Sequence, residues 1–296
     1  MIENIHIMGI VNLTPDSFFP GSRVQGEAAL IRMKQLLEEG ADVLDLGACS
    51  TRPGSPQPSL EEEWQRLEPV LNSIRQEGLP LPSASLRDPV RANATGMGNP
   101  PCRISVDTYR AEIVRRTYET IGPFIVNDIS AGQMDADMLS TVGKLGLPYI
   151  AMHMRGTPEN MQQLTDYPND DVTAAVIAYF KEFAIKAQEY GIKDWIVDPG
   201  FGFSKTLPQN YELLNRLDEV VKAFPQQETL VGVSRKSMIY KKLGITPEEA
   251  MPATQVVQFA ALEKGATWLR VHDVAAAVNT ARLYSTIYTS SPGAAK

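Results

Sequence analysis

The stretch Trp195-Ile-Val-Asp-Pro-Gly-Phe-Gly-Phe-Ser204 runs three apolar residues into one carboxylate, Asp198, and then turns at Pro199 and Gly200. A short β-branched run bounded by turn residues reads as a buried strand. The acid stands where that strand ends. A buried carboxylate is costly unless it is paired, so Asp198 implies a neighbouring cation or a ligand. The same arrangement, an apolar strand ending in a polar group before a Gly- or Pro-bearing loop, recurs on both sides of this stretch.

Towards the N-terminus, strands are expected at Tyr149–His153, Phe124–Ile129, Arg103–Val106, Val43–Leu46 and Ile5–Val11; towards the C-terminus, at Thr229–Val233 and Trp268–Val271. Helical periodicity falls between them. The spacing predicts helices at Glu27–Glu39, Arg110–Thr120, Asp135–Lys144, Asp171–Tyr190, Gln209–Ala223, Thr254–Lys264 and Val274–Ile287. Another helix follows Ser59, which with Glu62 forms a capping box. Its apolar face is Leu60, Trp64, Leu67, Leu71 and Ile74, and Pro69 is expected to kink or restart it. In the 171–190 helix, Val172, Val176, Phe180, Phe183 and Ala187 are expected to face inward. Eight βα units in 296 residues predict an α/β fold of the (β/α)8 TIM-barrel type, a single domain over residues 1–288. The segment 79–102, rich in Pro and Gly, reads as a surface insertion, and 289–296 as a flexible tail. An open doubly wound sheet is disfavoured, because no GxGxxG follows the first strand and no switch point is visible.

The formal net charge of −7 argues against nonspecific nucleic-acid binding, though not against a local cationic site for a small anion. Cys49 and Cys102 form no CxxC pair, which suits a reducing compartment. The N-terminus runs straight into the first strand, without a leader pattern. No apolar run approaches the roughly 20 residues of a membrane helix. The expectation is a soluble, cytoplasmic protein with no membrane partner.

In such a barrel the chemistry lies at the C-terminal ends of the strands. Those ends supply Asn12, Thr51 with Arg52, Asp107, Asn127, Met152 with His153, Asp198, Ser234 with Lys236, and Arg270 with His272. Strand ends are where polar residues often go, so any one of them alone says little. Asn127 and Arg270 say more, because they sit inside otherwise apolar strands. Asp107 and Asp198 suit the N–H donors of a flat heterocycle. Asn127 can donate and accept, and Lys236 can donate to a ring carbonyl or nitrogen. Arg270, His272 and Arg52 suit phosphate or carboxylate. Asn12 is a neutral oxygen donor acceptable to Mg²⁺ beside phosphate oxygens. Together they describe a site for a polar heterocycle carrying an anionic group. His153 and His272 have no HxH or HExxH spacing, Ser234 lacks a GxSxG setting, and nothing marks the Cys49 thiol as activated.

Eight segments then converge on one family. Met8-Gly-Ile-Val-Asn-Leu-Thr-Pro-Asp-Ser-Phe18, Asp45-Leu-Gly with Ser50-Thr-Arg-Pro-Gly54, Ser105-Val-Asp-Thr108, Val126-Asn-Asp-Ile129, Met152-His-Met154, Asp198-Pro-Gly-Phe-Gly-Phe203, Ser234-Arg-Lys236 and Arg270-Val-His-Asp273 resemble, in order, the motifs of the dihydropteroate synthases. The resemblance implies a barrel enzyme of folate biosynthesis, usually a homodimer. It would condense 7,8-dihydropterin-6-ylmethyl diphosphate with 4-aminobenzoate, both small-molecule substrates, and release pyrophosphate. Carried over residue by residue, Asp107, Asn127, Met152, Asp198, Phe203 and Lys236 would hold the pterin. Asn12, Arg270 and His272 would hold the diphosphate, with Mg²⁺ at Asn12. Phe18, Thr51, Arg52, Pro53, Phe203 and Ser237 would receive 4-aminobenzoate. Asp107, Lys236, Arg270, Thr51 and Arg52 would serve the chemistry, a dissociative substitution.

Two stretches depart from the family pattern. Pro20 stands in Asp16-Ser-Phe-Phe-Pro-Gly21, near where a second acid is frequent, and Ala48-Cys49 stands where Gly-Glu is usual. The alternatives are a pterin methyltransferase acting on methyltetrahydrofolate, not expected to carry Ser-Thr-Arg-Pro or Ser-Arg-Lys, and a non-catalytic pterin-binding paralogue.

Overall fold

The computed structural model describes residues 5–13, 22–49, 57–76 and 102–289. The segment 79–101 and the chain end from 290 lie outside the described residues. Among the described residues eight strands form one sheet: β1 (His6–Asn12), β2 (Val43–Gly47), β3 (Arg103–Asp107), β4 (Ile125–Asp128), β5 (Tyr149–Met152), β6 (Trp195–Asp198), β7 (Leu230–Val231) and β8 (Trp268–Val271). Their order is β6-β5-β4-β3-β2-β1-β8-β7, and every paired strand is parallel. The ring is closed between β6 and β7 by a single bridge, Val197 with Thr229, where the Val197 N–H also donates to Glu228 O at 2.9 Å. This is the expected α/β barrel, nearly closed and surrounded by helices.

The helices are α1 (Ser22–Glu38), α2 (Leu60–Gln76), α3 (Ala111–Ile121), α4 (Met138–Leu145), α5 (Val172–Glu189), α6 (Leu207–Asn215), α7 (Leu217–Ala223), α8 (Ser237–Leu243), α9 (Met251–Glu263) and α10 (Val274–Thr289). Strand side chains alternate between the two faces of the sheet. One set, including Leu44, Leu46, Ile104, Val106, Val126, Ala151, Val197, Leu269 and Val271, packs with the helices in the main core. The other set is smaller. Met8, Val43, Ile125, Ile150, Ile196, Leu230 and Trp268, one from each of seven strands, plug the inside of the barrel. Burying one such side chain contributes about 1.5–3 kcal/mol. Two residues further along the same inward rows the apolar plug ends, and Asp45, Asn127, Met152, Asp198 and Arg270 begin. The alternation therefore sends these groups into the barrel mouth.

Some local expectations held and others changed. The Ser59 capping box forms, with Ser59 N–H to Glu62 Oε2 at 2.7 Å and Glu62 N–H to Ser59 Oγ at 3.3 Å. Pro69 does not restart the helix: α2 runs through it, with Leu67, Val70, Leu71 and Ile74 buried along one face. All five side chains expected to point inward from α5 are buried. The helix expected over 209–223 begins earlier, because Thr206 and Gln209 cap it reciprocally. It also breaks at Arg216, whose guanidinium is drawn to Asp171, Glu212 and Glu219. Strand β7 is shorter than expected because Val233 O accepts the Lys236 N–H at 3.1 Å, a turn that leads into α8.

Gly143 lets α4 touch the end of α5: a Cβ there would stand 1.8 Å from Tyr190 O. Gly143→Ala is expected to lower unfolding free energy by about 2–4 kcal/mol in urea titrations, since backbone must move to admit the methyl.

Candidate active site

Arg270 is the centre of the polar barrel mouth. Its Nε donates to Asp45 Oδ2 at 2.7 Å, and its Nη2 lies 2.6 Å from Asp45 Oδ2 and 2.8 Å from Asp107 Oδ2. Asn127 Nδ2 donates to Asp45, 3.2 Å from Oδ2 and 3.4 Å from Oδ1. Strands β2, β3, β4 and β8 thus meet in one network. Asp45 is fully buried, whereas the Arg270 side chain keeps 23% of its exposure. Burial and the Asp45 charge push the Asp107 carboxyl up to about 7, against the pull of Arg270. Arg270 itself is held above its usual range by the two carboxylates, which outweigh its burial.

A second group lies at the ends of β6 and β7. Asp198 Oδ1 accepts the Gly200 N–H at 2.8 Å, which folds the turn back over the strand end. Gly200 has φ +70°, and a Cβ there would meet His153 O at 2.0 Å. Only glycine makes this turn without displacing the neighbouring strand's end. Lys236 Nζ donates to Phe201 O at 2.5 Å and sits 4.8 Å from the Phe203 ring centroid. Burial raises the Asp198 carboxyl and lowers the Lys236 amine to about 8, each opposed by the other's charge. The two groups adjoin at Gly232: a Cβ there would lie 3.8 Å from Arg270 Cβ and 3.9 Å from Lys236 Nζ. Met152 and Phe203 belong to one apolar cluster with Tyr109, Ile129, Met154 and Met161, beside this polar floor. The combination suits a flat ring bonded at its edges and packed on its faces.

The rim carries the remaining expected residues. His272 takes both its Nδ1 contact, at 3.1 Å, and its backbone N–H bond, at 3.2 Å, to Ser234 Oγ, which ties β8 to the end of β7. Asn12 ends β1 exposed, and its Oδ1 and Asp107 Oδ2 stand 4.0 and 3.9 Å from where a Gly47 Cβ would be. Ser237 opens α8, half-buried. Phe18, Thr51, Arg52, Pro53 and Pro20 lie outside the described residues. His153 is not brought to the floor: its ring packs edge-on against Tyr179 of α5, 4.9 Å between centroids. Burial and the Glu63 carboxylate push the Cys49 thiol up, so it gains no thiolate character.

Two contributors escaped a strand-end reading. Asp45 lies inside Val43-Leu-Asp-Leu46, two residues beyond Val43 on the inward row. The criterion that singles out Asn127 and Arg270, a polar residue inside an apolar strand, applies equally to it. Lys205 had no such signal. It is buried, and its Nζ donates to Gly200 O at 2.9 Å and Phe203 O at 3.1 Å, and contacts His153 Nδ1 at 2.9 Å. It clamps from behind the loop that presents Asp198 and Phe203. Burial pushes its amine down to about 7, with the Asp198 charge opposing.

A family model described as "Pterin binding enzyme" matches residues 8–272. A dihydropteroate synthase of Synechocystis is 37% identical over 279 residues, 93% of this chain and 87% of the relative. A crystal structure of dihydropteroate synthase from Clostridium difficile in the presence of pteroic acid superposes with a TM-score of 0.82 at 31% identity, covering 97% of each chain. The Xanthomonas albilineans dihydropteroate synthase with 4-aminobenzoic acid gives a TM-score of 0.81 at 32% identity, covering 98% of this chain and 95% of that one.

Lys205 carries a measurable signature. Its amine is depressed in the folded protein, so between about 7 and the ordinary lysine value of 10.5 the unfolded chain binds a proton that the folded chain does not. Unfolding then takes up a proton, and raising the pH opposes it. The wild-type protein is expected to gain stability relative to Lys205→Met as pH rises from 7 to 10, by at most about 1.4 kcal/mol per pH unit. Denaturant titrations of both proteins across that window read the difference, and a flat difference contradicts it.

Proposed function

Because this chain belongs to the dihydropteroate synthases among the pterin-binding enzymes, we propose that it joins 7,8-dihydropterin-6-ylmethyl diphosphate to 4-aminobenzoate, giving 7,8-dihydropteroate and pyrophosphate for folate biosynthesis. The observation that carries this reading is the barrel mouth itself: three carboxylates, an amide and two half-buried cations beside an apolar cluster. In this reading Asp107, Asn127 and Asp198 grip the edge of the pterin ring, Lys236 donates to its carbonyl or ring nitrogen, and Met152 and Phe203 cover its faces. Arg270, His272 and Asn12 receive the diphosphate. The amine substrate enters between Phe203, Ser237 and the loop segments bearing Phe18, Thr51, Arg52 and Pro53.

The substitution is dissociative. The bond from the 6-methylene carbon to oxygen breaks, and pyrophosphate leaves with the electron pair. The electron-rich pterin carries the positive charge, with the Asp107 carboxylate nearby. Arg270 and His272 stabilise the charge that builds on the leaving group. The neutral arylamine then attacks the methylene carbon and loses a proton, so no strong protein nucleophile is needed. Asn12 offers one hard, neutral oxygen at an exposed strand end, which fits a Mg²⁺ ion held mainly by phosphate oxygens and water. When bound there, Mg²⁺ would supply charge neutralisation to the diphosphate.

The protein acts in the cytoplasm as a homodimer. Among the described residues no helix is long and apolar enough to cross a membrane. Val256 of α9 and Leu283 and Ile287 of α10 are 71%, 63% and 54% exposed, an apolar surface that a second copy would cover.

Purified protein given both substrates and Mg²⁺ is expected to release pyrophosphate and form dihydropteroate, detected by mass, with neither product when one substrate is omitted. Asp198→Asn, whose amide cannot accept from two ring donors at once, is expected to lower kcat/KM for the pterin substrate about a hundredfold. Unchanged turnover in that variant would overturn the assignment of the floor. Pterin binding without product in the wild-type protein would instead favour a non-catalytic pterin-binding protein, and would point to Ala48-Cys49 as the altered element.

A further inference from the structure

Two residues at the ends of β7 and β8 stand between the groups that face a ligand: Arg235, between Ser234 and Lys236, and Asp273, next to His272. They bond to each other. Arg235 Nε donates to Asp273 Oδ2 at 2.9 Å and its Nη2 to Asp273 Oδ1 at 2.7 Å, a paired contact that orients both groups. Arg235 Nη1 donates to Pro247 O at 3.3 Å and to Glu248 O at 3.0 Å, in the loop between α8 and α9. The guanidinium is thus committed to the protein. Its backbone is held as well. The Arg235 N–H donates at 3.2 Å to Oγ1 of Thr254, which is buried in α9. Arg235 has φ +53°, in the left-handed region that residues with a Cβ seldom adopt. Such a conformation persists only where its surroundings hold it, and it gathers at functional sites.

The chain on either side of Arg235 serves different parts of the mouth. Before it, Ser234 Oγ accepts the His272 N–H at 3.2 Å and contacts His272 Nδ1 at 3.1 Å. After it, Lys236 reaches the other way, with Nζ donating to Phe201 O at 2.5 Å. Asp273 follows His272 directly, and its carbonyl oxygen accepts the Ala277 N–H at 3.1 Å, where α10 begins. The Arg235–Asp273 pair therefore ties the segment that carries Lys236 to the segment that carries His272.

We propose that this pair is a positioning clamp that sets the separation between the ring contact at Lys236 and the diphosphate contact at His272, and so acts on bond cleavage rather than on the binding of either part. The inference rests on the pterin reading of the site and deepens it. The two contacts hold opposite sides of the bond that breaks, from the methylene carbon to the leaving oxygen. A substrate held at both must have that bond aligned, and a displacement of about 1 Å is enough to cost on the order of a hundredfold in rate. A fragment held at one contact only makes no such demand.

The experiment compares the wild-type protein with Arg235→Gly and Asp273→Asn. Glycine accepts the left-handed backbone, so the first variant removes the guanidinium and keeps the turn. Asparagine keeps the shape of Asp273 but turns an NH2 group towards an Arg235 donor. Single-turnover measurements with both substrates and Mg²⁺ read the rate of pyrophosphate release. Anaerobic calorimetry reads the dissociation constants of two fragments, 6-hydroxymethyl-7,8-dihydropterin and pyrophosphate with Mg²⁺, each alone. Cleavage is expected to slow roughly ten- to a hundredfold in both variants, while each fragment binds within about threefold of its wild-type affinity. Unchanged cleavage in either variant overturns the clamp and leaves the pterin reading in place. So does a loss of cleavage matched by an equal loss of affinity for one fragment, which would place the pair's effect on one contact only. A wild-type protein that binds neither fragment overturns the pterin reading, and the clamp with it. Should Arg235→Gly not fold, Asp273→Asn decides by the same criteria.

Discussion

A guanidinium inside a barrel has to be neutralised where it stands, and in this protein Asp45 and Asp107 do so for Arg270. Removing one partner of such a buried arrangement leaves an uncompensated charge, which costs far more than the pair itself contributes. The pairing therefore constrains everything around it. It fixes Arg270 against β2 and β3, and Asp45 also accepts from the Asn127 amide. Around the mouth the carboxylates Asp45, Asp107 and Asp198 stand with the cationic groups of Arg270 and Lys236, so a ligand must offer comparable partners to enter.

The same constraint explains the division of labour between the two walls. On the β2–β3–β4 side acceptors predominate, so this wall suits the N–H edge of a heterocycle. On the β7–β8 side Arg270 and His272 meet the Lys236 loop, which suits an anionic substituent. Lys205 works behind this surface: by holding the Gly200 and Phe203 carbonyls it shapes the loop that carries Asp198, Phe203 and the Phe201 carbonyl bonded to Lys236. A substrate with an electron-rich ring and a diphosphate leaving group uses both walls at once.

Much of this was legible in the residues. Apolar runs ending in Asp107, Asn127, Asp198 and Arg270 identify strands, and their recurrence identifies a barrel whose chemistry lies at one end. The inward face of α5 follows from helical spacing alone. Other features were not legible, for reasons that can be named. The helix breaks at Arg216, whose guanidinium meets three carboxylates, one of them, Asp171, distant in sequence. Lys205 follows a glycine-rich turn and gives no hint of burial until His153 and two carbonyls converge on it. Asp45 stands mid-strand, where a reading confined to strand ends does not look.

By itself, then, the order of residues determined the period of two in the strands, the near-regular return of helices between them, and the family whose motifs they carry. These are local properties, set by side-chain direction and turn chemistry within a few residues. Tertiary structure alone decided which inward-facing groups meet. Asp45 and Arg270 are 225 residues apart, and their contact exists only because β1 stands between β2 and β8 in a ring that closes. Which polar side chains pair across the mouth follows from that closure and from the cost of burying a charge without its partner.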